Sequence, residues 1–240
     1  MDIFVGTSGW FYPWNEEGTL DWYISNSGLN AVELNSSFYR FPFPNMVRSW
    51  ARKGEGLRWS IKVNRLITHT FRFSNRAFEL WKKFHNLFTP LDQSIDFYLF
   101  QLSPSTSPKE ISLIEDFIEK TELHERFALE ARNIEWYDER WVDWASNLGI
   151  TLVSVDSPEF PLHIYNTSGS VYLRMHGRTE WYNHLYSDEE LKEVMVKVLN
   201  SKPEKAYIFF NNNHGMLINS RRMLSMFEEL KINYSCCNNS

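Results

Sequence analysis

The sequence predicts an α/β protein, a closed (β/α)8 barrel that forms a single domain over residues 1–240. Eight short runs of β-branched or aromatic residues recur along the chain, and segments of helical periodicity separate most of them, as in parallel βα units. The 240 residues leave about 30 for each unit, which suits a closed barrel. No Gly-Ser-rich or highly charged linker divides the chain. Closure is therefore favoured over an open doubly wound sheet, which has the same alternation.

The predicted strands are short apolar runs rich in β-branched and aromatic residues. They cover residues 3–7, 31–35, 58–63, 96–101, 127–132, 151–156, 171–176 and 206–211. Between them, seven segments repeat apolar residues at helical spacing. These segments cover residues 19–26, 44–52, 75–88, 108–122, 138–147, 188–199 and 216–230. The connection after the sixth strand, residues 157–169, contains Pro158, Pro161 and Gly169, so we expect an irregular excursion there instead of a long helix.

Composition and charge exclude several classes of protein. A content of 43% hydrophobic and 23% charged residues excludes a disordered or collagen-like chain. No apolar run approaches the roughly 18 to 20 residues that cross a bilayer, and the first residues are not those of a signal peptide. We therefore expect a cytoplasmic protein with no membrane partner. The net charge of -5 disfavours sequence-independent binding of nucleic acid.

Polar side chains occupy alternate positions near the carboxyl ends of the predicted strands. Alternate residues of a barrel strand point inward, and chemistry lies at the carboxyl ends. Glu33 and Asn35 alternate with apolar residues in the second strand, as Glu130 and Arg132 do in the fifth. The other strand ends contribute Lys62, Gln101, Asp156, Arg174, His176, Asn211 and Asn212.

Buried charges cost several kcal/mol each unless they are paired, so this set needs an explanation. One explanation is structural pairing of Glu33 with Lys62, of Glu130 with Arg132 and of Asp156 with Arg174. The other is a solvated mouth that binds a ligand or performs catalysis. Because the polar residues cluster at one end of the strands, the functional mouth is favoured.

Several segments also match a known family. The most specific are Gly6-Thr7-Ser8-Gly9-Trp10 and the segment Val32-Glu33-Leu34-Asn35-Ser36-Ser37-Phe38-Tyr39-Arg40. Further matches are Lys62, Thr68-His69, Gln101-Leu102, Glu130, Arg132, Trp136, Asp156-Ser157, Arg174-Met175-His176-Gly177 and Phe210-Asn211-Asn212. In order and spacing the chain resembles the DUF72 (YecE-like) family of uncharacterised TIM-barrel proteins. The resemblance implies the barrel and highlights these positions, but it implies no reaction. Where the family usually has Glu-Phe-Arg-His, this chain has Glu130-Ala131-Arg132-Asn133, so no histidine role carries over to position 133.

The residue types favour an enzyme that acts by general acid-base chemistry on a small anionic or phosphorylated substrate, including a sugar-like one. Guanidinium groups bind carboxylate or phosphate through two donors, and a histidine with an ordinary pKa near 6.5 exchanges protons near neutrality. The reaction would be of hydrolase, lyase or isomerase type. The candidate catalytic residues are Glu33, Lys62, Glu130, Asp156 and His176. The candidate substrate-binding residues are Asn35, Tyr39, His69, Gln101, Arg132, Arg174, Asn211 and Asn212.

Alternatives remain open at this point. A Schiff base at Lys62 requires a desolvated amine without a counter-ion, and an ordinary ion pair with a nearby carboxylate is favoured over it. Metal-assisted hydrolysis stays open, with Glu33, Glu130, Asp156 and His176 as oxygen and nitrogen ligands, but no His-x-x-x-His pattern occurs and no metal site is assigned. The cofactor is unknown. Aromatic and basic residues after the first three strands suit a barrel that binds nucleotide or nucleic acid, such as a repair-type nuclease. A noncatalytic ligand sensor would use the same residues, and the oligomeric state is unknown.

Overall fold

In the computed structural model, which describes residues 1–237, parallel strands form the inner wall of a barrel and helices cover its outside. The strands are β1 (Asp2–Thr7), β2 (Ala31–Leu34), β3 (Arg58–Lys62), β4 (Ile95–Gln101), β5 (Phe127–Glu130), β6 (Thr151–Leu152), β7 (Ser154–Asp156), β8 (Ser170–Met175) and β9 (Lys205–Phe210). The α-helices are α1 (Leu20–Asn26), α2 (Pro44–Lys53), α3 (Asn75–Phe88), α4 (Ile111–Thr121), α5 (Glu139–Asn147), α6 (Asp188–Asn200) and α7 (Met216–Cys237). This architecture confirms the predicted α/β barrel.

The strand order shows how the barrel closes. It is β6-β5-β4-β3-β2-β1-β9-β8-β7, with every pair parallel. Only Val153 separates β6 from β7, and its backbone N–H donates to the Leu129 carbonyl oxygen at 2.9 Å. One predicted strand, residues 151–156, therefore borders β5 with its first half and β8 with its second half. The two ends of the strand order meet in this stretch of chain.

The helix boundaries follow from local capping chemistry. The Thr19 hydroxyl accepts from the backbone N–H of Trp22 at 3.1 Å and begins α1. Ser187 and Glu190 form a capping box at the start of α6, in which each side chain accepts from the other residue's backbone N–H. The connection at residues 157–169 contains no helix, as its prolines predict. None of the helices in residues 1–237 combines the length and apolar sequence that a bilayer crossing requires.

Side chains inside the barrel form an apolar layer below a charged one. The apolar layer contains Ala31, Phe97, Leu99, Ala128, Val153, Val155, Tyr172, Tyr207 and Phe209, all buried. Two residues further along their strands, Ala31 is followed by Glu33, Ala128 by Glu130 and Tyr172 by Arg174. Because successive side chains alternate between the two faces of a strand, these charges also point inward, one layer nearer the carboxyl end. The apolar layer closes the barrel floor beneath the charges.

Candidate active site at the carboxyl end of the barrel

Arg174 on β8 is the centre of the charged layer and has no solvent exposure. Its Nε donates to Oε2 of Glu33 at 2.8 Å, and its Nη2 donates to Oε1 of the same carboxylate at 2.6 Å. Its Nη1 donates to Oε2 of Glu130. Burial would lower the pKa of Arg174, but Glu130 and Glu33 more than offset burial and hold the pKa well above its ordinary value. One guanidinium therefore bridges carboxylates from β2 and β5.

The Glu33 carboxylate accepts two further hydrogen bonds. The Ser8 hydroxyl donates to Oε1 at 2.7 Å, and the Tyr172 hydroxyl donates to Oε2 at 2.7 Å. The Tyr172 hydroxyl also lies 2.6 Å from the Ser60 hydroxyl. Burial, and then the Glu33 charge, raise the pKa of Tyr172 well above its ordinary value, so it remains a donor. Four donors occupy Glu33, which suits a structural anchor better than a proton acceptor.

Glu130 is also occupied by donors. Its Oε1 accepts from Arg132 Nε and from Gln101 Nε2, the latter at 2.9 Å. Burial would raise the pKa of this carboxyl, but Arg132 and Arg174, with His176 and Lys62, outweigh burial and lower it well below its usual range. Glu130 is therefore ionised at neutral pH and is a weak base.

His176 lies beside Arg132 and Arg174 and is fully buried. Its Nε2 is 3.1 Å from Nη2 of Arg132. A guanidinium only donates, so Nε2 must be the unprotonated nitrogen and Nδ1 carries the proton. The amide nitrogen of Asn211 lies 3.2 Å from Nδ1, and a flip of this amide presents its oxygen to that proton. Burial, and then Arg174 and Arg132, lower the pKa of His176 well below its ordinary value, so the ring is neutral near pH 7.

Lys62, at the end of β3, differs from the other charged groups of the layer. Its side chain is 8% exposed, and in the part of the chain that the structure describes its Nζ has no carboxylate within 4.0 Å. The Nζ lies instead over the Phe38 ring, 4.3 Å from its centroid. Burial, and then Arg174, lower the pKa of Lys62 to about 7, although Glu130 and Glu33 act in the opposite direction.

Of the three ion pairs that the structural explanation of the inward charges requires, two do not form. Glu33 pairs with Arg174 instead of Lys62, and Asp156 accepts from Arg178 Nε at 3.1 Å instead of from Arg174. The predicted pairing of Glu130 with Arg132 is confirmed. Arg174 is long enough to reach across the barrel and binds both carboxylates, which leaves Lys62 unpaired. Burial raises the pKa of Asp156 above its ordinary value, although Arg178 acts in the opposite direction.

The structure brings most of the candidate residues into one cluster. These are Glu33, Asn35, Lys62, Gln101, Glu130, Arg132, Arg174, His176 and Asn211. Four candidates lie outside this cluster. Asp156 binds Arg178, Asn212 donates to the His184 carbonyl and to Asn219, His69 binds Thr68, and Tyr39 is 70% exposed. Whether any of these residues acts on a substrate stays a prediction.

Four residues that complete the cluster are not among the candidates predicted from the sequence: Ser8, Tyr172, Phe38 and Trp181. Tyr172 has the parity of Arg174, and Ser8 follows β1 directly, so strand-end position was a usable signal for both. Trp181 lies in the loop after β8, where its ring is 4.7 Å from the Arg132 guanidinium and 5.3 Å from the His176 ring. No periodic pattern predicts that contact.

An aromatic cavity of about 690 Å³ adjoins the charged cluster. Ser8 and Asn35 line it, and both also contact the cluster, through Glu33 and Arg174 respectively. Its aromatic walls are Trp10, Phe11, Tyr12, Tyr39 and Trp50. Phe11 and Tyr39 are 82% and 70% exposed. The cavity therefore offers apolar contact area next to a charged centre.

The acidic and histidine side chains do not form a metal-binding group. Within residues 1–237, no three His, Cys, Asp or Glu side chains are arranged to hold a metal ion. Glu33 and Glu130 are bound to arginine, and Asp156 is bound to Arg178. The oxygens of these carboxylates therefore accept hydrogen bonds from arginine side chains of the protein itself.

These features define a class: a parallel β/α barrel with a buried arginine–carboxylate cluster at the carboxyl ends of its strands. Residues 4–235 match the family model of DUF72, a protein of unknown function, and the chain belongs to this family. The family resemblance noted from the motifs is thus confirmed. A comparison with curated proteins finds no match.

Solved structures agree with this assignment. A DUF72 family protein from Thermotoga maritima MSB8 is 27% identical, with a TM-score of 0.82 over 95% of this chain and 100% of that chain. A second, from Enterococcus faecalis V583, is 22% identical, with a TM-score of 0.80 over 95% and 98%. The fold is also similar to D-psicose 3-epimerase from Clostridium cellulolyticum H10, solved with D-tagatose. That enzyme is 8% identical, with a TM-score of 0.59 over 97% and 99% of the two chains.

Proposed function

We propose that this protein is an enzyme that moves protons on a small anionic or phosphorylated substrate at the carboxyl end of the barrel. One observation carries the proposal: Lys62 contributes a cationic group that no carboxylate neutralises, beside a cluster whose two carboxylates are already balanced by two guanidinium groups. An anion of the substrate would supply the missing negative charge.

Arg132 is suited to hold that anion. Its side chain is 11% exposed, whereas Arg174, Glu33 and Glu130 have no exposure. Of the two guanidinium groups in the cluster, Arg132 is therefore the nearer to solvent. Glu130 and His176 hold Nε and Nη2, and the Trp181 ring stacks on the guanidinium at 4.7 Å. A guanidinium fixed on three sides is pre-organised, so it loses little side-chain entropy when it binds phosphate or carboxylate.

Lys62 is the proton carrier that this geometry favours. Lys62 has a pKa of about 7 and therefore exchanges protons near neutrality. His176 is neutral, with its Nε2 lone pair directed at Arg132. Glu33 and Glu130 position Arg174 instead of accepting protons, in contrast to the sequence-based hypothesis. A proton transfer next to a substrate carbonyl would be of lyase or isomerase type. The fold-level likeness to a sugar epimerase agrees with a sugar-like substrate, but only by analogy.

Proton exchange with solvent tests the proposal without knowledge of the product. The protein is incubated in D2O with a panel of two- to six-carbon carbonyl phosphates and their unphosphorylated counterparts, and loss of the α-proton signal is followed by NMR. We expect at least one phosphorylated compound to exchange ten-fold or more faster than in buffer. Arg132→Gln should remove most of this acceleration, whereas Arg140→Gln, on the exposed start of α5, should leave it unchanged. Exchange at the buffer rate across the panel would contradict the proposal.

The aromatic cavity supports a second candidate, the binding of nucleotide or nucleic acid. Its exposed Phe11 and Tyr39 provide faces on which bases stack. Fluorescence anisotropy with labelled single-stranded and abasic duplex DNA, at increasing salt concentration, tests it. Binding that weakens steeply with salt and is lost in Phe11→Ala would favour this candidate. Salt-insensitive binding of a small phosphorylated compound would favour the enzyme, and ligand binding without exchange would favour a sensor.

A further inference from the structure

Lys62 is a buried amine whose natural counter-ions are already committed to other groups. Glu33 accepts from Arg174, Ser8 and Tyr172, and Glu130 accepts from Arg174, Arg132 and Gln101. No hydrogen-bond acceptor for Lys62 Nζ occurs among the residues that the structure describes; the Phe38 ring at 4.3 Å is its neighbour. The lysines that form ion pairs are different, since Lys53, Lys82 and Lys197 pair with carboxylates at 42–50% exposure.

This environment favours the uncharged amine. Burial acts first, and the positive charges of Arg174 and Arg132 add to it, while Glu130 and Glu33 oppose both. Near pH 7 about half of the Lys62 side chains would then carry a free lone pair. An ordinary exposed lysine has fewer than about one in a thousand side chains in that form at the same pH. A lysine amine attacks carbonyl groups only in its uncharged form.

We propose that Lys62 Nζ forms a Schiff base with the carbonyl carbon of an aldehyde or ketone substrate that carries an anionic group. The proposal rests on the proposed function only in its choice of a small anionic substrate. An ion pair between Lys62 and a carboxylate would disfavour this chemistry, but Glu33 and Glu130 pair with Arg174 instead.

The chemistry balances without any further reactant. The Nζ lone pair attacks the carbonyl carbon, a C–N bond forms, and the carbonyl oxygen is protonated. The C–O bond then breaks and the oxygen leaves as water, carrying one proton from Nζ and one from solvent. The product is a protonated imine with one hydrogen on nitrogen, and water reverses the reaction. Its positive charge withdraws electrons from the adjacent carbon, which assists the proton transfer of the proposed function.

The surrounding charges act on this intermediate in both directions. The protonated imine is a fixed cation at Nζ, which Glu130 and Glu33 attract and which Arg174 and Arg132 repel. Arg132, which is partly exposed, lies at the same end of the barrel and can hold the anionic group of the substrate, whose negative charge adds to the attraction. The groups that act on Nζ electrostatically are Arg174 from β8, Glu130 from β5, Arg132 after β5, and Glu33 from β2. His69, after β3, experiences the Lys62 charge in turn.

Reductive trapping tests the proposal directly. The wild-type protein is treated with dihydroxyacetone phosphate, or with uncharged dihydroxyacetone, in the presence of cyanoborohydride, and modified lysines are mapped by peptide mass spectrometry. We expect Lys62 to be labelled at least ten-fold faster than any surface lysine at pH 7 by the phosphorylated probe. The labelling rate should reach half its maximum near pH 7, and inorganic phosphate should reduce it.

Two variants provide matched controls. Lys62→Arg keeps a positive charge but cannot form an imine, so the label at this position disappears. Lys197→Arg changes an exposed lysine of α6 that pairs with Glu193, and it should leave the labelling of Lys62 unchanged. If Lys62→Arg does not fold, the site map and the pH profile of the wild-type protein decide the question.

Labelling that is spread over exposed lysines with Lys62 unmodified, or a Lys62 labelling rate that rises up to pH 10, would overturn the proposal. Its failure is distinguishable from failure of the proposed function. If α-proton exchange occurs and Lys62 is not trapped, the enzyme acts through acid-base chemistry alone. If neither occurs, both proposals fail.

Discussion

The substitution Glu33→Gln probes the buried cluster most directly. The Glu33 carboxylate accepts four hydrogen bonds of 2.6 to 2.8 Å, two from Arg174, one from Ser8 and one from Tyr172. Glutamine has the same shape, but one of its two terminal groups is an NH2 that cannot accept. The hydroxyls of Ser8 and Tyr172 can rotate to accept from it, whereas Arg174 cannot. The variant therefore loses at least one charge-assisted hydrogen bond and half of the negative charge that compensates Arg174.

The size of the effect follows from these losses. A hydrogen bond to a charged group contributes about 1.5–3 kcal/mol, and removal of one partner from a buried ion pair costs about 3–5 kcal/mol in total. We expect Glu33→Gln to lower the free energy of unfolding by about 4 kcal/mol. For a chain of this length, about 2–4 °C per kcal/mol corresponds to a fall in Tm of roughly 8–16 °C.

Urea denaturation monitored by tryptophan fluorescence, together with thermal melts, measures this change. Asp21→Asn is the matched control, because it makes the same chemical change in an exposed ion pair with Lys53 and should cost no more than about 1 kcal/mol. Arg174→Met in the Glu33→Gln background completes a double-mutant cycle, for which we expect a coupling energy of at least about 2 kcal/mol. A loss below about 1 kcal/mol in Glu33→Gln, with additive effects in the cycle, would refute the description of this cluster.

Two further predictions concern stability. A Cβ atom at Gly6 would lie 2.3 Å from the Ala31 carbonyl oxygen on the neighbouring strand, so Gly6→Ala should lower the free energy of unfolding by about 3 kcal/mol, measured by urea denaturation. Gly56→Ala is the control: no atom lies within 4 Å of its added Cβ, and it should change stability by less than about 1 kcal/mol. Equal effects of the two substitutions would contradict the close approach at Gly6. The pKa of Lys62 falls from 10.5 to about 7 on folding, so between these values the unfolded chain binds more protons at this site and the contribution of Lys62 to stability rises with pH. Lys62→Met should therefore stabilise the protein at pH 7, by up to about 5 kcal/mol, and this gain should shrink as the pH approaches 10; a gain independent of pH would exclude the lowered pKa.

The sequence was sufficient to predict the barrel because each element carries a local signal. In β2 and β5, polar and apolar side chains alternate along the strand, which separates inward residues such as Glu33 and Glu130 from outward ones. That pattern holds in the structure. Helix starts were equally legible, because Thr19 and Ser187 are capping residues whose role depends only on their neighbours in sequence.

Parity could not predict which inward charges meet. It states that a side chain enters the barrel, but the partner depends on the length of the side chain and on strands that are distant in the sequence. Arg174 contacts Glu33, 141 positions away, and Glu130, 44 positions away. Once Arg174 occupies both carboxylates, Lys62 has no carboxylate partner among the residues that the structure describes, so the exceptional environment of Lys62 arises from the pairing of other residues. Asn212 lies outside the cluster for a different reason: it follows β9, where strand alternation ends, and its amide donates to Asn219 on α7.

The bridge made by Arg174 also constrains the order in which the barrel can form during synthesis. The ribosome produces chains from the amino terminus, so Glu33 and Glu130 emerge well before the guanidinium that compensates them. A partial barrel of the first five strands would enclose two carboxylates with Arg132 as the only guanidinium of the cluster yet made, at a cost of several kcal/mol. Arg174 therefore joins the first half of the barrel to its last strands, and the barrel closes only after β9, which lies between β1 and β8, has been made.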